Sequence, residues 1–257
     1  MMILTLSVEN TNLVLGVFQG EKLLFVSRMA TDRSKTGDEY AIAFRSILEL
    51  HGLKTQDIRG GIISSVVPAL INEIKEALRL TLGREPLVVG PGVKTGLNIL
   101  MDNPAALGSD LVVNAVAAMA EYPVPLIVID LDTATTLCAV NEKKSFVGTV
   151  IAPGAALSAG ALADACDQLP RISLEAPRDV IGKNTIDSMK SGAIIGTAAM
   201  LDGMVDRMEG QLGRACTVIA TGSLAGVIAP HCSREILVDE WLLLKGLRRI
   251  YEKNIRK

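Results

Sequence analysis

The chain has 257 residues, 49% hydrophobic and 21% charged, a composition that excludes a disordered chain and allows one large α/β domain or two smaller ones. Lysine and arginine total 26 against 28 aspartates and glutamates, so the net charge of -2 offers no basic surface for nucleic acid. Four cysteines without a CxxC pair, and only two histidines, argue against a zinc cluster.

Runs of valine, isoleucine and leucine predict strands, and helical periodicity lies between them. The predicted strands are 2–8, 13–18, 23–28, 60–66, 86–89, 126–130, 136–140, 146–151, 217–220 and 236–238. The predicted helices are 37–51, 69–82, 109–120, 155–166, 185–209 and 240–253. Thr36-x-x-Glu39 predicts a capping box for the first helix. This alternation predicts an α/β fold with mixed sheets flanked by helices.

The N-terminal segment lacks the basic and apolar regions of a signal peptide. The long uncharged run 146–163 contains glycines and a proline and does not resemble a membrane span. We therefore expect a cytoplasmic protein with neither a membrane nor a nucleic-acid partner.

Two turns, one in each half, share a pattern. LSVENTN at 6–12 and IDLDTAT at 129–135 both read apolar, any residue, apolar, acid and then small polar residues, and a strand follows each. The pattern predicts a duplicated ribonuclease H-like unit with nucleotide held between the halves, and the alternative is two ordinary hairpins. The proline-containing stretch 121–125 is the expected boundary. We expect domains at 1–120 and 121–257.

Several short motifs follow one another along the chain: Asn10-Thr11-Asn12, TDRSKTGDEY at 31–40, SSVVP at 64–68, GPGVKTGLN at 90–98, Gly108-x-Asp110, TATT at 133–136, GKNT at 182–185 and Gly246-Leu247-Arg248. In their order and spacing these motifs resemble those of the type III pantothenate kinases, members of the acetate kinase, sugar kinase, chaperone ATPase and actin superfamily. The resemblance implies two ribonuclease H-like (actin-like ATPase) domains and ATP-dependent phosphorylation of pantothenate, the first step of coenzyme A synthesis. It also implies Mg²⁺, a monovalent cation (K⁺ or NH₄⁺), and a homodimer with its interface in the second domain.

The same resemblance implies roles for individual residues. Asp110 would be the general base that takes the proton from the pantothenate hydroxyl, and Asp130 would hold the monovalent cation. Thr133 would touch the nucleotide phosphates, and Thr185 would contact pantothenate at the dimer interface. The other implied site residues are Ser7, Asn10, Thr11 and Asn12 on the nucleotide side and Met101, Gly108, Ser109 and Leu111 on the pantothenate side.

The phosphate loops depart from the family's pattern. Ser7 stands where the family has an Asp that handles the metal, and a hydroxyl is a poor magnesium ligand. Glu9 and Asp132 stand where the family has glycines. A carboxylate about 5 Å from a phosphate charge costs about 3 kcal/mol at an effective dielectric near 20. These changes predict weak ATP binding.

Three further positions differ from the family. Leu111 replaces the Arg that follows the catalytic Asp, Met101 replaces an aromatic residue, and Ser223 replaces the last glycine of Thr-Gly-Gly. Loss of one stabilising cation commonly lowers a rate by about 10² to 10³. The acceptor side is therefore altered too.

Three hypotheses remain open: a pantothenate kinase that is weak or inactive, a non-catalytic paralogue that acts as a dimeric binding or regulatory protein, and a kinase for another acceptor. Positions 7 and 9 share a strand face, so metal binding by Glu9 in place of the missing Asp is an alternative for the first loop. For Asp110 the alternative is a helix cap.

Overall fold

The computed structural model describes residues 1–255, so residues 256 and 257 of the expected second domain lie outside the described residues. The chain divides into two compact units. The first contains Met1–Gly96, Ala105–Ala117 and the described residues from Leu243 to Ile255, and the second contains Leu97–Pro104 and Ala118–Leu242. This grouping differs from the expected 1–120 and 121–257 division in two ways: residues 97–104 and 118–120 are grouped with the second unit, and the last helix from Leu243 is grouped with the first.

Eleven strands and seven α-helices make up the described part of the chain. The strands are β1 (Met2–Val8), β2 (Asn12–Gln19), β3 (Lys22–Ala30), β4 (Ile58–Ser65), β5 (Leu87–Val88), β6 (Asn98–Ile99), β7 (Leu126–Leu131), β8 (Ala134–Val140), β9 (Ser145–Pro153), β10 (Thr217–Thr221) and β11 (Leu237–Val238). The helices are α1 (Gly37–Leu50), α2 (Ile71–Leu82), α3 (Ser109–Glu121), α4 (Ala155–Ala165), α5 (Thr185–Leu212), α6 (Ala225–Ile228) and α7 (Leu242–Ile255). Short 3-10 turns lie at Thr55–Asp57, Pro68–Leu70, Pro104–Ala106 and Ala229–His231.

The first unit is built on a five-stranded sheet in the order β3-β2-β1-β4-β5. Strands β1, β2 and β3 are antiparallel, and β4 and β5 continue the sheet in parallel. Apolar side chains of the strands, such as Leu6 and Leu15, form a buried cluster with Phe44 of α1 and Leu78 of α2. Burial of this cluster fixes the register of β1, because a one-residue slip would turn its leucines to the other face.

The C-terminal helix α7 packs with the first unit through a close helix-to-helix approach. A Cβ at Gly246 would collide with the carbonyl oxygen of Val113 in α3. Only glycine allows the two backbones to approach this closely. This contact gives a structural reason for the Gly246-Leu247-Arg248 motif.

The second unit is built on a six-stranded sheet in the order β11-β10-β7-β8-β9-β6. Strands β7, β8 and β9 are antiparallel, whereas β10 and β11 are parallel to β7. The buried cluster of this unit joins Ile127 and Ile129 of β7 to Ile194 and Leu201 of α5 and to Ile228 of α6. Helix α5 is therefore the main support of this sheet.

The two sheets repeat one topology. The order β3-β2-β1-β4-β5 corresponds strand for strand to β9-β8-β7-β10-β11, with the same antiparallel and parallel pairs, and β6 is an addition at one edge. Two unrelated hairpins would not be expected to continue into the same five-strand order. The repeat therefore supports the predicted duplicated unit over the alternative of two ordinary hairpins.

Each of the six predicted helices and ten predicted strands has a counterpart, with ends that shift by a few residues. The capping box is confirmed, because the Thr36 N–H donates to Glu39 Oε2 and the Glu39 N–H donates to Thr36 Oγ1. The sequence did not predict β6 or α6, since elements of two and four residues carry little periodicity. Among residues 1–255, no helix has the length and apolar character needed to cross a membrane.

Candidate functional site

The first candidate loop is the turn between β1 and β2 in the first unit. The Glu9 N–H donates to the Asn12 carbonyl at 2.9 Å and closes the turn. Thr31, just after β3, donates its hydroxyl to the Glu9 carbonyl at 2.7 Å and its N–H to the Thr11 carbonyl at 2.9 Å. These hydrogen bonds fix the conformation of the loop. In the sequence Thr31 was only part of a motif, and its hydrogen bonds to the loop became apparent in the structure.

A hydroxyl and a carboxylate are paired inside this loop. Ser7 is 2% exposed, and its hydroxyl donates to Glu9 Oε1 at 2.9 Å. The contact is consistent with the two side chains lying on one side of the strand, as the spacing of positions 7 and 9 predicts. An acidic group thus lies two residues after position 7, where the resemblance implies an Asp.

Asp110 lies at the same edge of the sheet as this loop. Ser7 of β1 pairs with Ser64 of the parallel strand β4. The Ser64 hydroxyl is 2.8 Å from the Ser109 hydroxyl, which donates to the Ser65 carbonyl at 3.1 Å. These bonds fix the first turn of α3, and with it Asp110, beyond the carboxyl ends of β1 and β4. In α/β sheets ligands bind beyond these strand ends.

Asp110 and the residue that follows it, Leu111, differ in exposure. Asp110 is partly exposed, and its Oδ1 lies so close to Gly108 that a Cβ there would collide with it. Leu111 is 6% exposed and belongs to the hydrophobic core. The position expected beside pantothenate therefore carries a packed aliphatic side chain and no cation.

The second candidate loop, between β7 and β8, lies against the turn that follows β10. Asp130 of β7 pairs in parallel register with Thr221 of β10. Gly222 has a φ of +93°, and a Cβ there would come 2.7 Å from Asp130 Oδ1. The Leu224 N–H donates to the Leu131 carbonyl at 3.1 Å. Loop and turn form one tightly packed structure within the second unit.

Asp132 is bound to this turn by two hydrogen bonds. Its Oδ1 accepts the Ser223 N–H at 3.0 Å and the Ser223 hydroxyl at 2.6 Å. Thr133 is half-buried, and its carbonyl accepts the Gly154 N–H at 3.1 Å. The carboxylate of Asp132 is therefore fixed by two donors and is not simply an added charge. Two departures from the family pattern, at 132 and 223, are partners of each other.

The donor groups fit the expected cations unequally. Asp130 Oδ1 is shielded from solvent, and a buried carboxylate oxygen is a suitable ligand for K⁺ or NH₄⁺. The Ser7 hydroxyl is a neutral group already engaged with Glu9, whereas magnesium prefers a carboxylate. Within residues 1–255, no three His, Cys, Asp or Glu side chains converge as a metal site. Position 7 therefore does not fit a magnesium ligand.

Thr185 and Met101 lie in the second unit. Thr185 is exposed at the first position of α5, where the side chain of the N-cap Asn184 accepts the Asp187 N–H at 2.9 Å. A groove of about 510 Å³ runs along α4 and α5. Its lining includes Leu162, Leu169, Thr185, Met189, Ala193 and Met200. Met101 is half-exposed in the segment after β6. The roles implied for these residues stay predictions.

Comparison with known sequences gives a family. The sequence model of the type III pantothenate kinases matches residues 3–207. A type III pantothenate kinase from Halalkalibacterium halodurans is 48% identical over 99% of this chain and 100% of its own length. Another, from an Exiguobacterium species, is 46% identical over 98% of this chain and 99% of its own. Both relatives align end to end, so the resemblance seen in the motifs is confirmed.

Comparison with solved structures supports the fold. A candidate Baf family transcriptional activator from Campylobacter jejuni has a TM-score of 0.58 at 17% identity, covering 98% of both chains. The ethanolamine utilization protein EutJ from Carboxydothermus hydrogenoformans has a TM-score of 0.56 at 15% identity, covering 97% of this chain and 89% of its own. At such identities the likeness shows the fold alone. The expected pair of ribonuclease H-like, actin-like ATPase units is confirmed.

Proposed function

The chain belongs to the type III pantothenate kinase family, and we propose that it is a member in which ATP-dependent phosphorylation of pantothenate is weak or lost. The observation that carries this proposal is the Ser7–Glu9 pair, with its 2.9 Å hydrogen bond. Phosphoryl transfer depends mainly on positioning and on neutralising phosphate charge. A loop with a hydroxyl in place of a metal-binding Asp, and a glutamate in place of a glycine, impairs both the positioning of the phosphates and the neutralisation of their charge.

Residual turnover would use the groups that remain in place. Asp110, held at the strand edge through Ser109, would accept the proton of the pantothenate hydroxyl. Asp130 would hold the monovalent cation, and the backbone of the loops around Asn10 and Thr133 would approach the phosphates. Mg²⁺ bound with ATP would supply charge neutralisation. Glu9 is the carboxylate in the first loop that would replace the missing Asp.

A coupled assay with ATP, Mg²⁺, K⁺ and pantothenate tests the proposal. We expect kcat/KM to be lower by a factor of at least about 10³ than that of the Halalkalibacterium halodurans relative measured in parallel. The reason is that Ser7 and Leu111 replace the Asp and the Arg that the family resemblance implies for charge neutralisation. A cooperative thermal unfolding transition and a circular dichroism spectrum of a folded α/β protein would show that the assayed chain is folded. A kcat/KM within tenfold of the relative would contradict the proposal.

The second candidate function is a dimeric binding or regulatory protein, and the apolar surface of the second unit favours it. Six large apolar side chains between residues 151 and 186 of this unit are 48–83% exposed: Ile151, Leu157, Leu162, Val180, Ile181 and Ile186. A contiguous exposed apolar patch is typical of an association surface, whereas apolar residues exposed singly are ordinary. Three of them lie on α4 and α5, the helices along the groove that Thr185 lines. The proposed homodimer would cover this apolar set.

Charge placed in the apolar set should separate the dimer. The double variant Leu157→Asp, Ile181→Asp is expected to raise the dimer dissociation constant at least about 100-fold, because two buried contacts are replaced by unpaired charges. Sedimentation velocity over a concentration series measures the shift. Ile42→Asp with Leu50→Asp is the matched control, since both residues are exposed on α1 of the first unit. A monomeric unmodified protein, or equal loss in both variants, would contradict the proposal.

A further inference from the structure

The contact between Asp132 and Ser223 has the geometry of an anion in a binding turn. One carboxylate oxygen accepts a backbone N–H at 3.0 Å and a hydroxyl at 2.6 Å, both from Ser223. The 2.6 Å length is typical of an O–H donor to a charged oxygen. A backbone N–H beside a hydroxyl is also a donor pair that proteins present to phosphate oxygens.

The donor pair is fixed by contacts that do not involve the Asp132 carboxylate. Gly222, at a positive φ, lies against Asp130, and the Leu224 N–H is bonded to the Leu131 carbonyl. Parallel pairing of Thr221 with Asp130 places the turn at the end of β10. The turn would therefore keep its shape, and its donors, when the carboxylate is absent.

We propose that the turn 221–224 is an anion-binding turn that the chain's own Asp132 occupies. This inference rests on the proposed function, in which the loop around Asp132 and Thr133 faces nucleotide phosphates. Asp132 then decides which ligand the turn accepts. A phosphate group binds there only by displacing Asp132, and the displaced carboxylate remains close enough to repel it. A ligand without a phosphate, such as a nucleoside, meets no such competition at this turn.

The test measures binding of inorganic tripolyphosphate to the full chain and follows the amide signal of Ser223 by NMR. We expect Asp132→Gly to raise tripolyphosphate affinity by at least about tenfold, as the loss of one charge-assisted competitor predicts. In the Ser223→Ala background, which lacks the hydroxyl donor, the same substitution should give a gain smaller by threefold or more. In the unmodified protein, the Ser223 amide should not shift with millimolar tripolyphosphate, whereas in Asp132→Gly it should shift saturably.

Several outcomes would overturn the inference. Equal gains from Asp132→Gly in both backgrounds, or a gain abolished by 0.5 M salt, would show general repulsion, because exposed charges are screened over about 4 Å at that ionic strength. A saturable shift of the Ser223 amide in the unmodified protein would show that Asp132 does not block the turn. Glu142→Gln, in the exposed turn between β8 and β9, is the control for net charge and should give no gain.

These results are separable from those for catalysis. Efficient turnover by the unmodified chain would contradict the proposed function without changing the Ser223 amide measurement. An unchanged tripolyphosphate affinity in Asp132→Gly would contradict the anion-turn inference. The weak-kinase proposal would then still be tested separately, by the coupled assay.

Discussion

Ser7→Asp, Glu9→Gly and Asp132→Gly combined are expected to raise kcat/KM for ATP by on the order of 10³ in the coupled pantothenate assay. Each carboxylate removed would otherwise lie near a phosphate charge, at a cost of about 3 kcal/mol at 5 Å and an effective dielectric near 20, less where water screens it. Ser7→Asp returns the type of ligand that magnesium prefers. Asp132→Gly also exposes the two donors of Ser223.

The control for this gain is a matched change in charge. The combined variant changes net charge by one unit, because Ser7→Asp adds one negative charge and the other two substitutions remove two. Glu142→Gln makes the same change in an exposed turn and should leave the rate unaltered. An unchanged rate in a folded triple variant would mean that the loop charges do not limit turnover.

Leu111→Arg alone is expected to lower the free energy of unfolding by about 3 kcal/mol, the scale of an uncompensated buried charge. Leu111 is 6% exposed, so an arginine there must bury its guanidinium or displace its neighbours to reach water. Urea denaturation monitored by circular dichroism measures the loss. We therefore expect that restoring the Arg implied by the family resemblance requires further changes around position 111.

Leu111→Met is the matched control, since it nearly conserves volume and should cost under about 1.5 kcal/mol. An arginine variant as stable as this methionine variant would show that the site tolerates the charge, and Leu111→Arg would then join the loop substitutions in a complete repair. An arginine variant more stable than the methionine variant would instead indicate that the length of the side chain, and not its charge, limits position 111.

The duplicated architecture could be predicted from two short stretches, because their chemistry is local. Residues 6–12 and 129–135 each place a strand, a small-residue turn and a second strand in sequence order. The structure extends this match to five strands in each sheet. The pairing of Ser7 with Glu9 was likewise accessible, since residues two apart on a strand face the same side.

The partners of Asp132 and of α7 could not be predicted, because they depend on contacts between distant parts of the chain. Ser223 lies 91 residues after Asp132 and meets it only when β10 pairs with β7. A paired departure from the family pattern was the available signal. Helix α7 follows the second unit in sequence, yet Gly246 packs on Val113 of the first. Chain order alone does not reveal such packing.

The two loops have accommodated acidic side chains in different ways. In the first, Glu9 receives a hydrogen bond from Ser7, its neighbour along the strand. In the second, Asp132 takes both donors of a turn. Both arrangements satisfy the carboxylates within the fold, so each has become part of the folded structure. This explains how the fold accommodates an acidic side chain in each of the two loops.

Calorimetric titration of the unmodified protein with Mg²⁺ and ATP tests most directly whether these loops exclude the nucleotide. We expect no saturable heat up to about 1 mM ATP, the upper end of the usual KM range, in a sample whose folding is verified by its Tm. A dissociation constant in the micromolar range, with one ATP bound per chain, would contradict the claim that the loops exclude ATP.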